Sequence, residues 1–333
     1  MASMTFKALV VEEAEPGRFT RRIVERRTAD LPPGDVLVRV VYSSINYKDL
    51  LSATGNRGVT RRYPHTPGID AAGVVVDSAS GEFQPGDEVI VTSYDLGMNT
   101  DGGFGQFIRV PAGWVVPLPA GLTLRESMIY GTAGFTAALS IMALVENGLT
   151  PAAGEILVSG ATGGVGGLAV SMLSKIGFKV AAVNGHVDQG DYLRQLGASR
   201  VIDPDEAIDG SGRLLLKAVW AGSVDSVGGE LLATTLKSTA AYGVVACCGN
   251  AASADLPINV YPFILRGVRL VGIDSQNCPM TTRRRAWAQI AGDWKIAQAA
   301  SMVEEVTLAD LDSTIEKMLA RQRRGRTIVK VQD

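Results

Sequence analysis

The chain opens with short apolar runs set between tight turns. FKALVV (6–11), DVLVRVVYSS (35–44), GVVVDSA (73–79), DEVIVTSY (87–94), GQFIRVP (105–111) and WVVPLP (114–119) are rich in Val and Ile and have the length of strands. Gly, Pro and Asp punctuate them at PPGD (32–35), PGID (67–70), QPGDEV (84–89) and DGGFG (101–105). Branched side chains suit a pleated surface, and Gly and Pro supply the turns, so this part predicts a compact β-barrel or sandwich.

The period changes near Leu122. Residues 122–148 carry apolar side chains at helical spacing and close on Asn147-Gly148, a C-cap signal. From Glu155 strands and helices alternate: EILVSG, then VGGLAVSMLSKIG, KVAAVNG, QGDYLRQLG and RVID. Three more strands follow in SVDSVGG, AYGVVACCG and RLVGIDS. Such alternation implies a parallel sheet with right-handed crossovers, hence an α/β doubly wound region behind a β domain. Helical patterns at 283–303 and 310–325 and a last strand, RTIVKVQ, complete the chain, with no internal repeat and no evident linker.

Composition narrows the chemistry. The 333 residues are 46% hydrophobic and 20% charged, ordinary for a globular protein of about two domains and wrong for a disordered one. A formal charge of −2 gives no global basic field, so neither nucleic acid nor an anionic membrane is an expected partner. Three cysteines make no disulfide framework, no signal-like segment opens the chain, and no window holds 18 uninterrupted apolar residues; a cytoplasmic location is the expectation. Two histidines and three cysteines barely suffice for one zinc site.

The most informative motif is EILVSGATGGVGG. It sets Ala161-x-Gly163-x-x-Gly166 after a predicted strand and before a predicted helix, which is the dinucleotide-binding turn with Ala in its first glycine position. Thr162, Gly163, Gly164, Val165 and Gly166 would hold a pyrophosphate at the helix N-terminus. The next strand ends in Asn184-Gly185-His186, with no carboxylate for a ribose 2′-hydroxyl. That absence favours NADPH, because a carboxylate would repel its 2′-phosphate; NADH use stays open.

PGIDAAGVV (67–75), PGDEV (85–89) and GTAGFTAAL (131–139), together with this layout, resemble the medium-chain dehydrogenase/reductase superfamily. The resemblance implies a GroES-like catalytic domain from residues 1–126 and 280–333, and a Rossmann domain from 127–279. Where zinc alcohol dehydrogenases of that superfamily supply an early Cys and a Gly-His-Glu segment, this chain has Asn46 and Gly68-Ile69-Asp70, so no zinc is expected. Without a Lewis acid, hydride addition to an electron-poor C=C bond is the easier reaction. SSINYKDLLSATG (43–55), YGTAGFTAA, AVNGH and PFILRGVRLVGIDSQNCP (262–279) resemble, more narrowly, the zinc-free quinone oxidoreductase-like group of the YhdH/AcuI type, the acrylyl-CoA reductases.

That narrower resemblance implies reduction of acryloyl-CoA to propanoyl-CoA. It makes Tyr47 a cofactor contact and the acid or orienting group, with Asn46 as a donor to the developing oxyanion. Asn184, Gly185, His186, Asn250, Ile264, Ser275 and Arg326 match further cofactor positions. His186 and Pro204 stand where the group usually has arginines, so Arg194 or Arg200 would have to compensate. Arg57, Arg61 and Arg62, and secondarily the arginines at 283–285, are candidates for the phosphates of an acyl-CoA. A homodimer formed through the RLVGIDS edge is also implied. A reductase of quinones or free enones in the same fold, and a nucleotide-bound structural or RNA-associated protein, remain the alternative readings.

Overall fold

In the first part of the chain the branched runs do become strands, because alternate side chains find apolar cover on both faces. The structure is a computed structural model and describes residues 3–185, 189–297, 299–320 and 322–332. In chain order its elements begin with β1 (Thr5–Glu15), β2 (Arg18–Arg27), β3 (Val36–Ser44), α1 (Tyr47–Ala53), β4 (Asp70–Ser78), β5 (Glu88–Thr92), β6 (Phe107–Val110) and β7 (Val115–Pro117). The long α2 (Leu124–Glu146) follows. Next come β8 (Glu155–Val158), α3 (Gly164–Lys175), β9 (Lys179–Val183), α4 (Gly190–Gln195), β10 (Arg200–Ile202) and α5 (Pro204–Ala207). Then follow β11 (Trp220–Asp225), α6 (Gly229–Ser238), β12 (Thr239–Cys247), α7 (Tyr261–Arg266) and β13 (Arg269–Gly272). The chain closes with α8 (Met280–Ala291), β14 (Val303–Thr307), α9 (Leu311–Leu319) and β15 (Arg326–Lys330).

Two compact units result. The first takes Met1–Thr132, Gln276–Arg284 and Ala297–Asp333. Its main sheet runs β14-β15-β3-β4-β5-β7, with β6 also paired to β3, and β1 and β2 form a separate antiparallel pair. On β3 the period of two is visible in the packing: Val36, Val38 and Val40 enter one core with Val89, Val91, Ile108 and Val329, whereas Leu37 points to a smaller cluster with Phe6 and Ala8.

The second unit takes Ala133–Ser275 and Arg285–Ile296. Its six strands are all parallel, in the order β10-β9-β8-β11-β12-β13. Renumbered from β8 this is 3-2-1-4-5-6, the order of the doubly wound dinucleotide-binding fold. The strands are near-continuous apolar runs, as sheets covered on both faces require; every residue of β11 is buried.

The units depart from the sequence boundaries in three places, one of them residues 276–279, which belong with the first unit rather than the second. The handover falls at Thr132, six residues later than expected, and Arg285–Ile296 belongs with the second unit rather than the first. Packing explains the latter: the buried Trp287 ring stacks on Phe135 at 6.2 Å, and Arg285 pairs with Glu146 at 2.7 Å. Helix α2 is also not the continuous helix its spacing predicts. Gly131 breaks it with φ 50° and ψ −153°. The second segment is apolar all round because it is core, and its end at Gly148 (φ 94°) follows the expected cap.

Candidate active site

The expected site residues fall into two groups, one in each unit. In the first unit they gather where β3 runs into α1. Asn46 is the N-cap of α1, with extended backbone, and its N–H donates to Asp49 Oδ2 at 2.7 Å. Asp49 lies one turn into the helix and is fully buried; its Oδ1 accepts from the N–H groups of Gly68 (3.1 Å) and Ile69 (2.8 Å). The carboxylate thereby ties the start of α1 to the turn that leads into β4.

Asp70, the first residue of β4, is the hub of the corner. Its Oδ2 accepts from Ser44 Oγ (2.6 Å), Asn46 Nδ2 (2.7 Å) and the Thr132 N–H (2.9 Å), and its Oδ1 accepts from Thr132 Oγ1 (2.6 Å). Arg326, from β15, faces it at 3.9 Å. The guanidinium donates to Ser44 Oγ (2.8 Å), Asn46 Oδ1 (3.1 Å), Ile45 O (3.3 Å) and Ile129 O (3.0 Å). The break at Gly131 makes this pairing possible. It offers the Ile129 carbonyl to the arginine and the Thr132 N–H to the carboxylate, each the partner that suits a helix end. A Cβ at residue 131 would lie 2.4 Å from Asp70 Oδ2 and 2.5 Å from Ser44 Oγ, so only glycine fits.

Burial sets the electrostatics of this corner. It pushes the Asp49 carboxyl up to about 7, with the neighbouring Asp70 charge as the second cause. Burial also pulls Arg326 down, and the charges of Asp70 and Asp49 oppose that.

This geometry corrects two expectations. Arg326 is not a cation open to a cofactor: only 3% of it is exposed, and its donors are directed at Ser44, Ile45, Asn46 and Ile129. Asn46 is not a free oxyanion donor, since its amide nitrogen is turned to Asp70 and its amide oxygen to Arg326. Nor do these residues fit zinc. Asn46, Ile69 and Asp70 include no Cys or His, Asp70 already accepts four hydrogen bonds, and a guanidinium stands beside it. Among the described residues no group of three or more His, Cys, Asp or Glu is placed to hold a metal ion.

Tyr47, the first residue of α1, is 71% exposed, and its hydroxyl makes no hydrogen bond among the described residues. Beyond α1 the three arginines of the following loop divide. Arg57 donates to the Arg61 carbonyl (2.9 Å), pairs with Glu13 and lies over the rings of Phe19 and Tyr63. Arg61 and Arg62 form no ion pair among the described residues; with Asp95 and Asn99 they line a cavity of about 440 Å³. The secondary candidates at 283–285 are engaged elsewhere: Arg283 is buried over Tyr94 and donates to Thr92, Arg284 pairs with Glu82, and Arg285 with Glu146.

In the second unit the expected turn joins β8 to α3. Gly163 is the N-cap of α3, and the first N–H groups of that helix are free of helical partners. A Cβ on Gly166 would sit 2.3 Å from the Gly160 carbonyl oxygen, so the close packing of helix on strand depends on that glycine. Thr162, Gly163, Gly164, Val165 and Gly166, then Asn184 and Gly185 after β9, Asn250 after β12 and Ser275 after β13 all follow the carboxyl ends of parallel strands. That edge is where open α/β sheets bind ligands. His186 lies outside the described residues.

Two residues do not join that edge. Ile264 sits on α7, whose Arg266 donates to the carbonyls of Lys237 and Thr239 at the opposite end of β12; it is 66% exposed. Arg200 opens β10, pairs with Glu155 at the amino end of β8 and lies over Trp220, so it cannot replace a phosphate-binding arginine. Arg194 pairs with Asp191 on its own helix. Two carboxylates went unnoticed in the sequence. Asp49 had a signal in the Asn-x-x-Asp spacing of 46–49, which reads as a capping box. Asp225, whose carboxylate accepts from Ser159 Oγ (2.6 Å) and the Gly228 N–H (2.8 Å), had only its place at a strand end.

Comparison with known proteins agrees with this architecture. Residues 32–120 match the alcohol dehydrogenase GroES-like domain, and residues 164–292 match the zinc-binding dehydrogenase family. The acrylyl-CoA reductase AcuI of Ruegeria pomeroyi is 45% identical over 98% of this chain and 99% of its own. The yhdH oxidoreductase of Salmonella enterica, solved with NADP, superposes with a TM-score of 0.95 at 43% identity, over 99% of this chain and 100% of its own. Bacillus subtilis YhfP, solved with NAD and provisionally named a quinone oxidoreductase, gives a TM-score of 0.96 at 47% identity over 98% and 100%.

Proposed function

The chain belongs to the medium-chain dehydrogenase/reductase superfamily, and from that premise we propose that it is a zinc-independent, NADPH-dependent reductase of an activated C=C bond, converting acryloyl-CoA to propanoyl-CoA. The observation that carries the reading is the contrast between an intact dinucleotide turn and a corner in which Asn46, Ile69 and Asp70 stand where the resemblance puts the ligands of the superfamily's zinc enzymes, with Arg326 beside Asp70. A bound NADPH supplies the hydride for the β-carbon of the acceptor. Residues 162–166 would hold the pyrophosphate through backbone N–H groups, and Asn184 and Gly185 would meet the adenosine ribose. Asn250 and Ser275 complete the edge. Tyr47 presents its hydroxyl to the acceptor and delivers the proton that balances the reduction, at the carbonyl oxygen or the α-carbon. Arg61 and Arg62 take the phosphates of the CoA portion, and Arg57 keeps their loop in place.

The second reading is a quinone or enone reductase, favoured by the provisional name of the Bacillus relative and by its bound NAD. Loss of NADPH or NADH absorbance, followed with acryloyl-CoA, crotonyl-CoA and a naphthoquinone at equal concentration, separates the two. The proposal expects acryloyl-CoA to be the fastest acceptor, with NADPH preferred. A naphthoquinone reduced as well as acryloyl-CoA sinks the first reading, and turnover with none of the three sinks both.

The proposal extends to a cytoplasmic homodimer. Strand β13 is the edge of its sheet, and Tyr261, Ile264 and Leu265 on one face of α7 are exposed apolar side chains next to it in sequence. A second copy pairing along β13 would cover both, and light scattering in solution tests it.

A further inference from the structure

Three consecutive residues before Tyr47 are held by the same two side chains. Ser44 donates to Asp70 and accepts from Arg326; Ile45 gives its carbonyl to Arg326; Asn46 gives its amide oxygen to Arg326 and its amide nitrogen to Asp70. Tyr47 comes next, its hydroxyl making no hydrogen bond among the described residues and most of its surface exposed. With no hydrogen bond to hold the hydroxyl, the backbone leading into α1 sets where the Tyr47 side chain starts.

Stability is a poor explanation for this arrangement. A buried ion pair loses much of its Coulomb gain to desolvation, and replacing one with apolar side chains is often neutral or stabilising. Here the pair also requires a helix broken at Gly131, in a conformation other residues rarely adopt. What the pair does provide is geometry: a planar fork takes the oxygen of the Asn46 amide and a carboxylate takes its nitrogen, which allows the amide one orientation.

We infer that Asp70 and Arg326 are positioning residues, which fix Ser44, Ile45 and Asn46 and through them the placement of Tyr47 for its encounter with the acceptor. This rests on the reading of Tyr47 as the group that meets the acceptor. A misplacement of about 1 Å at such a group can cost on the order of a hundredfold in rate.

The test is a double-mutant cycle on kcat, with whichever acceptor the enzyme turns over, using Tyr47→Phe, Asp70→Asn and the combination. Asp70→Asn alone should lower kcat by about tenfold or more, with the dissociation constant of NADPH, read by its fluorescence, unchanged within about twofold. In the Tyr47→Phe background the same substitution should cost little further, because the group it positions is gone. Arg326→Lys, which keeps the charge and loses the fork, serves the same cycle if Asp70→Asn does not fold. A purely structural role predicts a lower melting temperature with kcat per folded molecule unchanged, or equal losses in both backgrounds; either result overturns the inference. Tyr47→Phe at the wild-type rate overturns the role of Tyr47 and the inference together. A slow Tyr47→Phe beside a fast Asp70→Asn overturns the inference alone.

Discussion

The dinucleotide turn of the second unit and the charged corner of the first are built by opposite means. In the second unit a single contiguous segment, 159–166, makes the turn, and its geometry is a matter of backbone and missing Cβ atoms. In the first unit the corner is assembled from side chains at 44–49, 70, 131–132 and 326, brought together from β3, α1, β4, α2 and β15. The segment 159–166 carries no ionisable side chain; the corner carries three. A backbone cradle tolerates changes of pH and salt, whereas a charged corner answers to both.

The largest expected effect is on pH. Because the folded-state value of Asp49 is raised to about 7, the folded protein holds this proton more tightly than the unfolded chain. Its contribution is full below about pH 4 and is lost as pH rises through 7, on the order of 4 kcal/mol at full burial. Urea denaturation from pH 4 to 8 should show this decline in the wild type and not in Asp49→Asn. Parallel profiles would mean that Asp49 is ionised throughout.

Gly131→Ala attacks the corner sterically and should destabilise by about 3 kcal/mol, from the left-handed backbone and the collision with Asp70. Among molecules still folded, kcat should drop while NADPH binding is retained. Gly166→Ala is its counterpart in the turn. It should cost about 2 kcal/mol and act on NADPH affinity, because the Gly160 backbone must move away from the new methyl group. If both variants lose kcat and NADPH affinity in equal measure, the turn and the corner are not separable as described.

The smallest effect expected is at the loop. Arg61→Ala with Arg62→Ala should raise KM for acryloyl-CoA about tenfold, equivalent to ~1.4 kcal/mol, and leave KM for a naphthoquinone unchanged. The wild-type KM for the thioester should climb with salt as screening grows. Arg57→Ala should act instead on the stability of the loop, through the lost pair with Glu13 and its stacking on Phe19 and Tyr63.

This contrast also explains what could be read from the chain in advance. The turn was legible because strand, glycines and helix are adjacent in sequence. The inner strands of the second unit, β8, β9 and β11, were legible because both of their faces are buried. β2 (RFTRRIVERR) and β14 (VEEVT) were not, since most of their side chains face solvent or ion pairs and carry no apolar period. The long apolar run at 122–148 gave a helix but not its break, which only the charges opposite it account for. Asn46 and Arg326 were singled out in the sequence but misread in what they touch, because their partners lie 24 to 282 positions away.

The filled corner bears on redesign. Restoring a Cys at 46 and a His at 69 would supply missing donor atoms, yet a divalent ion arriving there would meet the buried guanidinium of Arg326 at close range. In a poorly screened interior that repulsion is of several kcal/mol, enough to offset a new ligand. Converting this scaffold to a metalloenzyme therefore begins at β15, with Arg326 exchanged for a neutral side chain, before any ligand is introduced.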